Sequence, residues 1–276
     1  MFSEWDYDDS FFFSVYTQFM KAIPLEESLI SAVQKFLEKY EYSCVSLCSR
    51  VRKREDGIFV LSEKDAVSSA EDIFGVIAVS EIINHCLPFI KKENALSDDF
   101  FLELFQGKKI SCVNGEKIGT EYLVNLFLKN GRSVFHQNEY YLMTHEDLDG
   151  FPPPASLLSM GEEIVCCKSD HEDDLLPLQK NYLMEEVIPN GAKPKDEYAR
   201  LNIKRILREQ KVFAIFSDGE FVAKANTNAI GWKWVQIGGV YTNPLYRRNN
   251  YARCLISTLG RRINKTGRKT CLFVNK

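Results

Sequence analysis

The sequence predicts an α/β (α+β) protein in which a mixed sheet flanked by helices follows a separate α/β domain. Three observations support this prediction. Hydrophobic residues make up 45% of the chain, which is enough for packed cores. Strand-like runs alternate with segments of helical periodicity, and Gly150 and the prolines at 152–154 interrupt both patterns. We therefore divide the chain into a first domain at 1–150, a proline-rich linker at 151–161 and a second domain at 162–276.

The first domain begins with helices. Residues 24–40 carry apolar side chains at the spacing of one helix face, and residues 44–51 repeat that period in a shorter helix. β-Branched and aromatic residues then favour strands. The remaining elements predicted in this domain are strands at 57–62, 72–80 and 85–90, a helix at 97–105, a strand at 108–113, a helix at 119–130 and a closing strand at 139–145.

The second domain has the predicted order βααβββαβ. Its first three elements are a strand at 162–169 and helices at 173–188 and 195–210. A hairpin follows, because Asp218 and Gly219 readily take the positive φ angles that a tight turn between strands needs. The other elements predicted here are strands at 211–217, 220–229 and 232–242, a helix at 250–263 and a strand at 269–275.

The charges are divided unevenly along the chain. The net charge is −3, yet no Asp or Glu follows Glu220, and the eleven Lys and Arg residues after that point leave −14 on the first 220 residues. An anionic ligand for the C-terminal part is therefore expected. Nucleic acid is an alternative, but the acidic remainder opposes a polyanion and the aromatic residues form no repeated stacking platform. We do not expect nucleic acid to be the partner.

Composition also bears on metals and cellular location. The eight cysteines and four histidines include no set at zinc-binding spacing, so we expect buried thiols and no metal site. The N-terminal MFSEWDYDDS is acidic and aromatic, unlike a cationic signal peptide. No apolar run reaches the roughly 18 residues of a membrane span. We expect a cytoplasmic protein that does not enter a membrane.

The most informative stretch joins a strand to a helix at Val240–Gly260. Arg247, Arg248, Asn249 and Asn250 lie where the helix begins. A helix N-terminus already presents unpaired N–H groups and partial positive charge, so two added arginines favour an anion such as a pyrophosphate. The two asparagines tolerate left-handed backbone angles, and Ala252 is small enough to let a diphosphate approach.

The segment IGGVYTNPLYRRNNYA resembles the acyl-CoA-binding signature of the GNAT superfamily of N-acetyltransferases. The family pattern of Arg or Gln, two residues, Gly, one residue and Gly or Ala falls on Arg247, Asn250 and Ala252, with Asn250 departing from glycine. The resemblance covers residues 162–276. It implies the GNAT fold, acetyl-CoA as acyl donor, and transfer of an acetyl group to a primary amine. The residues that it assigns to acetyl-CoA are Val240, Tyr241, Thr242, Arg247, Arg248, Asn249, Asn250, Tyr251 and Ala252.

Within that assignment, the resemblance implies main-chain hydrogen bonds from Val240 and Thr242 to the pantetheine arm. It also implies that backbone N–H groups from Arg248 through Ala252 hold the pyrophosphate, with charge added by Arg247 and Arg248. The two partners expected are thus acetyl-CoA and an amine acceptor whose identity the sequence leaves open. The oligomeric state is left open as well.

The catalytic groups are less clearly marked. Relatives often use a glutamate on the fourth strand as base, and the matching residue is Gln236, which cannot take a proton. Our candidates are Glu185 and Glu186, at the end of the first helix of the domain; the alternative is that they are ordinary exposed charges. Asn226 and Asn228 are candidates to hydrogen-bond the acceptor, and turn formation explains them equally well.

The end of the sequence and the first domain each leave alternatives. In the family a further helix, which commonly supplies a tyrosine as general acid, and further strands follow the strand matched at 269–275, so we expect a chain truncated after its fifth strand. A catalytically impaired acyl-CoA sensor or interaction module is therefore the alternative function. The first domain has an element order reminiscent of the same fold, and we interpret it as a degenerate GNAT-like repeat that shapes the acceptor entrance. Whether it also completes the second sheet is open.

Overall fold

The computed structural model describes residues 20–91, 97–146, 154–188 and 193–275. Gly150, Pro152 and Pro153 of the predicted linker lie outside these ranges. Pro154 opens a short 3-10 helix that ends at Leu157. The linker and the domain division built on it therefore stay predictions.

The first half is built around a five-stranded sheet in the order β1-β2-β3-β4-β5. All neighbours are antiparallel except β4 and β5, which are parallel. One apolar core lies between this sheet and the first two helices, and a second lies under the third and fourth. The elements are β1 (Lys21–Pro24), α1 (Ile30–Glu38), α2 (Val45–Lys53), β2 (Ile58–Ser62), β3 (Ile73–Ser80), β4 (His85–Ile90), α3 (Asp98–Leu104), β5 (Cys112–Val113) and α4 (Lys117–Lys129).

Two details of this half differ from the prediction. The strand predicted at 108–113 is confined to Cys112 and Val113, because only these residues pair with β4 while Lys108 N–H still bonds back to Phe105 in the turn after α3. The four residues of β1 were not predicted as a strand. Four residues are too few for hydrophobic periodicity to distinguish a strand from a loop. The strand forms because these residues pair with β2.

The second half follows the predicted order βααβββαβ. The described elements are β7 (Glu163–Cys167), α5 (Glu172–Tyr182), α6 (Asp196–Glu209), β8 (Val212–Ser217), β9 (Glu220–Ile230), β10 (Trp234–Thr242), α7 (Tyr251–Asn264) and β11 (Lys269–Asn275). A π-helical turn, Leu183–Val187, continues α5. Asp218 and Gly219 have φ angles of 51° and 87°, which confirms the hairpin turn between β8 and β9.

The strand predicted to close the first domain lies in the second sheet. This strand, β6 (Tyr140–His145), pairs antiparallel with β11 along its whole length, so the sheet order is β6-β11-β10-β9-β8-β7. The β-branched and aromatic residues at 139–145 were enough to predict a strand. They could not predict its partner, which depends on which sheet edge lies nearby in the folded chain. The first half thus supplies the strand that flanks β11.

The two halves also meet in a buried polar contact. Glu41 is fully buried, and its carboxylate accepts hydrogen bonds from the main-chain N–H groups of Lys233 and Trp234, each at 3.0 Å. Gly231 makes room for it, because a Cβ at this position would lie 2.1 Å from Glu41 Oε1. Helix α2 packs against β9 and β10 beside this contact. The first half is therefore anchored at the start of β10.

Candidate functional site

The strand β10 has an open edge over its second half. It pairs in parallel with β11 only from Trp234 to Ile237, whereas its antiparallel pairing with β9 extends to Thr242. From Gly238 onward the two parallel strands have therefore separated. Val240 and Thr242 lie in the part of β10 that has no pairing with β11, and an unpaired strand edge is what an extended ligand uses to add as a strand.

A β-bulge lies at the start of the open edge. The register of β10 against β9 shifts between Gly238 and Tyr241, and Gly239 has a φ of 57°. A Cβ on Gly239 would lie 2.0 Å from Asn226 Oδ1, so space as well as backbone angle requires glycine here. The bulge turns the peptide groups around Gly239 away from the regular ladder.

The turn after β10 leaves a row of N–H groups unpaired. Among the described residues, none accepts a hydrogen bond from the main-chain N–H groups of Arg248 through Ala252, and Asn250 makes no side-chain cap on α7. Residues 247–250 are exposed. The N-terminus of a 14-residue helix therefore faces solvent with its donors free, which is the arrangement that binds phosphate groups.

Two non-glycine residues in this turn have left-handed backbone angles. Asn250 has a φ of 62°, as expected for an asparagine in place of glycine. The other is Arg248, with a φ of 72°, and not Asn249, to which the sequence analysis assigned this role. Left-handed angles thus occur at the second and fourth residues of the turn. An asparagine at position 249 does not by itself reveal which residues take these angles.

The two arginines of the turn have different environments. Arg247 Nη2 lies 2.6 Å from Glu185 Oε2, and Arg247 Nε donates to the Thr242 carbonyl oxygen at 3.1 Å. Arg248 has no hydrogen-bond or ion-pair partner among the described residues and is exposed. Arg248 is thus the cation available to an incoming anion, whereas Arg247 fastens the turn to the end of α5.

Glu185 is close to the turn but strongly engaged. Its Oε1 accepts a hydrogen bond of 2.7 Å from the Tyr241 hydroxyl, and its Oε2 pairs with Arg247. The Tyr241 hydrogen bond, followed by that of Arg247, holds the pKa of this carboxyl below its ordinary value. A carboxylate whose two oxygens are both bound and whose pKa is lowered is a weak proton acceptor.

The other candidate residues divide between the site and its surroundings. Glu186 is exposed on the π-helical turn after α5 and lies close enough to Tyr182 to influence its ionisation. Gln236 points toward the first half, where its Oε1 accepts from Ser46 Oγ at 3.1 Å. Asn226 Nδ2 donates to Asn228 Oδ1 at 2.9 Å, which places both amides against the bulge.

The side chains of Tyr241 and Tyr251 face the protein. Both are buried, and the Tyr251 hydroxyl bonds to Glu162. Their contribution to a ligand at the turn is therefore limited to main-chain groups. Ala252 is partly buried in the first turn of α7, and Asn249 is exposed beside it.

Two residues that the sequence analysis did not single out lie at the bulge. Lys224 is fully buried, and its Nζ donates to the Gly239 carbonyl oxygen at 2.9 Å. Tyr182 of α5 places its ring centre 4.6 Å from the same Nζ. A lysine flanked by Ala223 and Ala225 was the available signal, although lysines usually face solvent.

This architecture was compared with known proteins. No family model matches the chain, and no curated protein matches it. Solved structures do match: a Drosophila protein is 13% identical over 92% of this chain and 89% of its own, with a TM-score of 0.66. A GCN5-related N-acetyltransferase from Sphaerobacter thermophilus is 10% identical over 93% and 87%, with a TM-score of 0.55. A GNAT-family acetyltransferase from Colwellia psychrerythraea is 11% identical over 93% and 90%, with a TM-score of 0.52.

The chain has the GNAT fold. Because each alignment extends over both halves, the two-part layout is shared as well. These similarities establish the fold and leave the reaction to be argued from the site. None of the helices in the described ranges has the length and apolar character needed to cross a bilayer.

Proposed function

We propose that the chain is an N-acyltransferase that transfers an acetyl group from acetyl-CoA to a primary amine. The observation that carries this proposal is the row of unpaired N–H groups from Arg248 through Ala252 at the end of a strand with an open edge. This arrangement occurs in a chain with the GNAT fold, at the residues that resemble that family's acyl-CoA signature.

In this proposal, different groups of the site bind the different parts of acetyl-CoA. The pyrophosphate has the N-terminus of α7 and the free guanidinium of Arg248 as its partners. The pantetheine arm has the main-chain groups of Val240 and Thr242 along the open edge. The thioester then reaches the bulge at Gly239. Arg247 acts indirectly, since its pairing with Glu185 holds the turn in place.

The reaction needs a neutral amine, a polarised thioester carbonyl and a proton for the departing thiolate. Among the residues proposed from the sequence, Glu186 is the better base by environment, because Glu185 is held by Tyr241 and Arg247. Helix α2 lies against β10 on the side of Gln236, which supports a role for the first half in shaping the acceptor entrance. A cytoplasmic location is part of this proposal.

Acetyl-CoA binding tests the proposal directly. Titration calorimetry and thermal unfolding of the full chain are expected to give a saturable complex, with about 2.7 kcal/mol of stabilisation at a ligand concentration 100 times Kd. Arg248→Ala is expected to weaken binding by about 10-fold or more, because one charge-assisted hydrogen bond is lost. Lys265→Ala removes the same charge at the other end of α7 and is the matched control. Equal effects of the two variants, or no binding at all, would reject the site.

The alternative is a sensor that binds acyl-CoA without turnover. The observations that favour it are the glutamine at position 236 and the ion-paired state of Glu185. Release of the coenzyme A thiol in the presence of glycine, benzylamine, spermidine and a short peptide separates the two. An acyltransferase releases thiol faster with at least one amine, whereas a sensor binds acetyl-CoA and shows no amine-dependent release.

A further inference from the structure

Lys224 is a buried amine without a balancing charge. It has no exposed surface, and no carboxylate of the described residues lies within ion-pair distance. The titratable groups that face it are Tyr182 from α5, Cys167 from β7 and Tyr241 on the paired strand β10. Because an ammonium is costly to bury unpaired, burial lowers the pKa of Lys224 to about 7. A large fraction of this side chain is therefore neutral near pH 7.

The position of Lys224 is as specific as its burial. Its Nζ donates to the carbonyl oxygen of Gly239 at the bulge of β10, and the Tyr182 ring lies over the same Nζ. Tyr182 itself is only partly buried. Lys224 is thus fixed at the point where the open edge begins.

An unpaired acceptor lies next to this amine. Asn226 is 1% exposed, its Oδ1 has no hydrogen-bond partner, and it lies against Gly239. Lys224 and Asn226 are two residues apart on β9, so their side chains leave the same face of the sheet. A buried acceptor without a donor is costly, which points to a ligand N–H group as its partner.

We infer that Lys224 is the proton acceptor of the acyl transfer and that Asn226 Oδ1 orients the attacking amine. This inference rests on the proposed function. The amine nitrogen attacks the thioester carbonyl carbon, the carbon–sulfur bond breaks, and the thiolate of coenzyme A leaves. The proton lost by the amine nitrogen passes to Lys224 Nζ past Tyr182, and the resulting ammonium later gives it up to the thiolate or to solvent.

Gln236 and Glu185 do not offer this chemistry. Gln236 has no basic lone pair and is turned toward Ser46. Both oxygens of Glu185 are occupied by Tyr241 and Arg247. Lys224 combines a free lone pair in its neutral form with a place beside Gly239.

The test measures thiol release from acetyl-CoA against pH, from about pH 6 to about pH 9, with the amines named above and with water alone. Wild-type kcat/KM is expected to rise with pH, with a midpoint near 7. Lys224→Met removes the proton acceptor and is expected to lower kcat/KM by about 100-fold or more and to abolish that midpoint. Ionisation of the acceptor amine contributes equally to both profiles, so their difference isolates Lys224.

Two further variants separate proton transfer from structure. Lys224→Arg keeps a donor for the Gly239 carbonyl but stays protonated, so it is expected to bind acetyl-CoA with unchanged Kd and to be as slow as Lys224→Met. It also serves if the methionine variant does not fold. Lys265→Met is the matched control and should behave as wild type.

The outcomes distinguish this inference from the proposed function. Failure of the wild type to bind acetyl-CoA removes the proposed function, and the role of Lys224 falls with it. Normal binding together with a wild-type rate and pH profile in Lys224→Met or Lys224→Arg overturns only the role of Lys224. Normal binding without amine-dependent thiol release in the wild type removes the proposed acyl transfer, and the role of Lys224 with it.

Discussion

The two halves of the molecule share one plan but differ at the same place. Each has a strand, two helices, three antiparallel strands, a helix and a parallel fifth strand. In the first half the helix after the third of those antiparallel strands, α3, begins with Asp98 and Asp99, and Ser97 caps it by accepting the Phe100 N–H. In the second half the equivalent helix α7 has no cap and follows two arginines. If α7 binds an anion as proposed, the residues at its start are responsible and not the fold alone.

The strands that lead into these two helices also differ, because one is regular and the other is bulged. Strand β4 pairs with β3 from His85 to Ile90 without a register shift, whereas β10 is interrupted by the bulge around Gly239. A regular strand uses its main-chain groups within the sheet. The bulged strand directs some of them toward side chains and, by the proposal above, toward a ligand. The comparison thus predicts that perturbing the second half at the bulge affects function most.

Gly239→Ala is expected to have the largest effect. The new Cβ would lie 2.0 Å from Asn226 Oδ1 on a residue with a φ of 57°, so both sterics and backbone strain oppose it. We expect a loss of roughly 3 kcal/mol in the free energy of unfolding and loss of acetyl-CoA binding. Gly219→Ala is the matched control, because Gly219 has a φ of 87° with no atom within 4 Å of an added Cβ.

Urea unfolding and calorimetry check this prediction. Gly219→Ala is expected to cost only about 1 kcal/mol, from backbone strain, and to leave binding intact. If the two substitutions cost the same and both retain binding, the close packing at the bulge has no special role.

The stability of the chain is expected to depend on pH through Lys224. Its folded pKa is about 7 and its ordinary value is 10.5, so between these values the unfolded state binds more protons. The contribution of Lys224 to the free energy of unfolding therefore rises with pH across this window, by roughly 2–4 kcal/mol. Below pH 7 both states hold the proton and the contribution is flat.

Lys224→Met should remove this dependence, and Lys265→Met should retain it. Urea unfolding at a series of pH values measures both. The same pH dependence in the wild type and in Lys224→Met from pH 7 to pH 10 would show that Lys224 is not the buried neutral amine described above.

The anchor between the halves should be the next most sensitive point. Glu41→Ala removes the acceptor for the N–H groups of Lys233 and Trp234 and leaves the N–H of the buried Trp234 without its partner, at a cost of roughly 2–3 kcal/mol. Glu38→Ala is the matched control, because Glu38 also reaches Lys233 but through a pair at the surface that is worth at most about 1 kcal/mol. Thermal unfolding compares the two, and equal losses would argue against a buried anchor.

Local pattern predicted much of this molecule. The Asp218-Gly219 turn, the strand before Asn243 and the helix from Tyr251 follow from neighbouring residues. The anion site proposed at the start of that helix was inferred from the same local pattern. What could not be predicted depends on distant residues. Lys224 is buried only because α5 packs over β9, and Glu185 meets Arg247 across 62 positions. The pairing of β6 with β11 depends in the same way on how the two halves meet.

The smallest effect is expected from the asparagines with left-handed angles, one in each half. Asn84 has a φ of 51° before β4, and Asn250 has a φ of 62° before α7. Replacing either by glycine removes backbone strain but raises the conformational entropy of the unfolded chain, so both changes should alter the free energy of unfolding by no more than about 0.5 kcal/mol.

The effects of the two substitutions on acetyl-CoA binding should differ, because only Asn250 adjoins the unpaired N–H groups. Asn250→Gly brings the turn to the family pattern and is expected to tighten binding a few-fold, while Asn84→Gly leaves Kd unchanged. Equal Kd values in calorimetry would mean that the Asn250 side chain lies away from the phosphates.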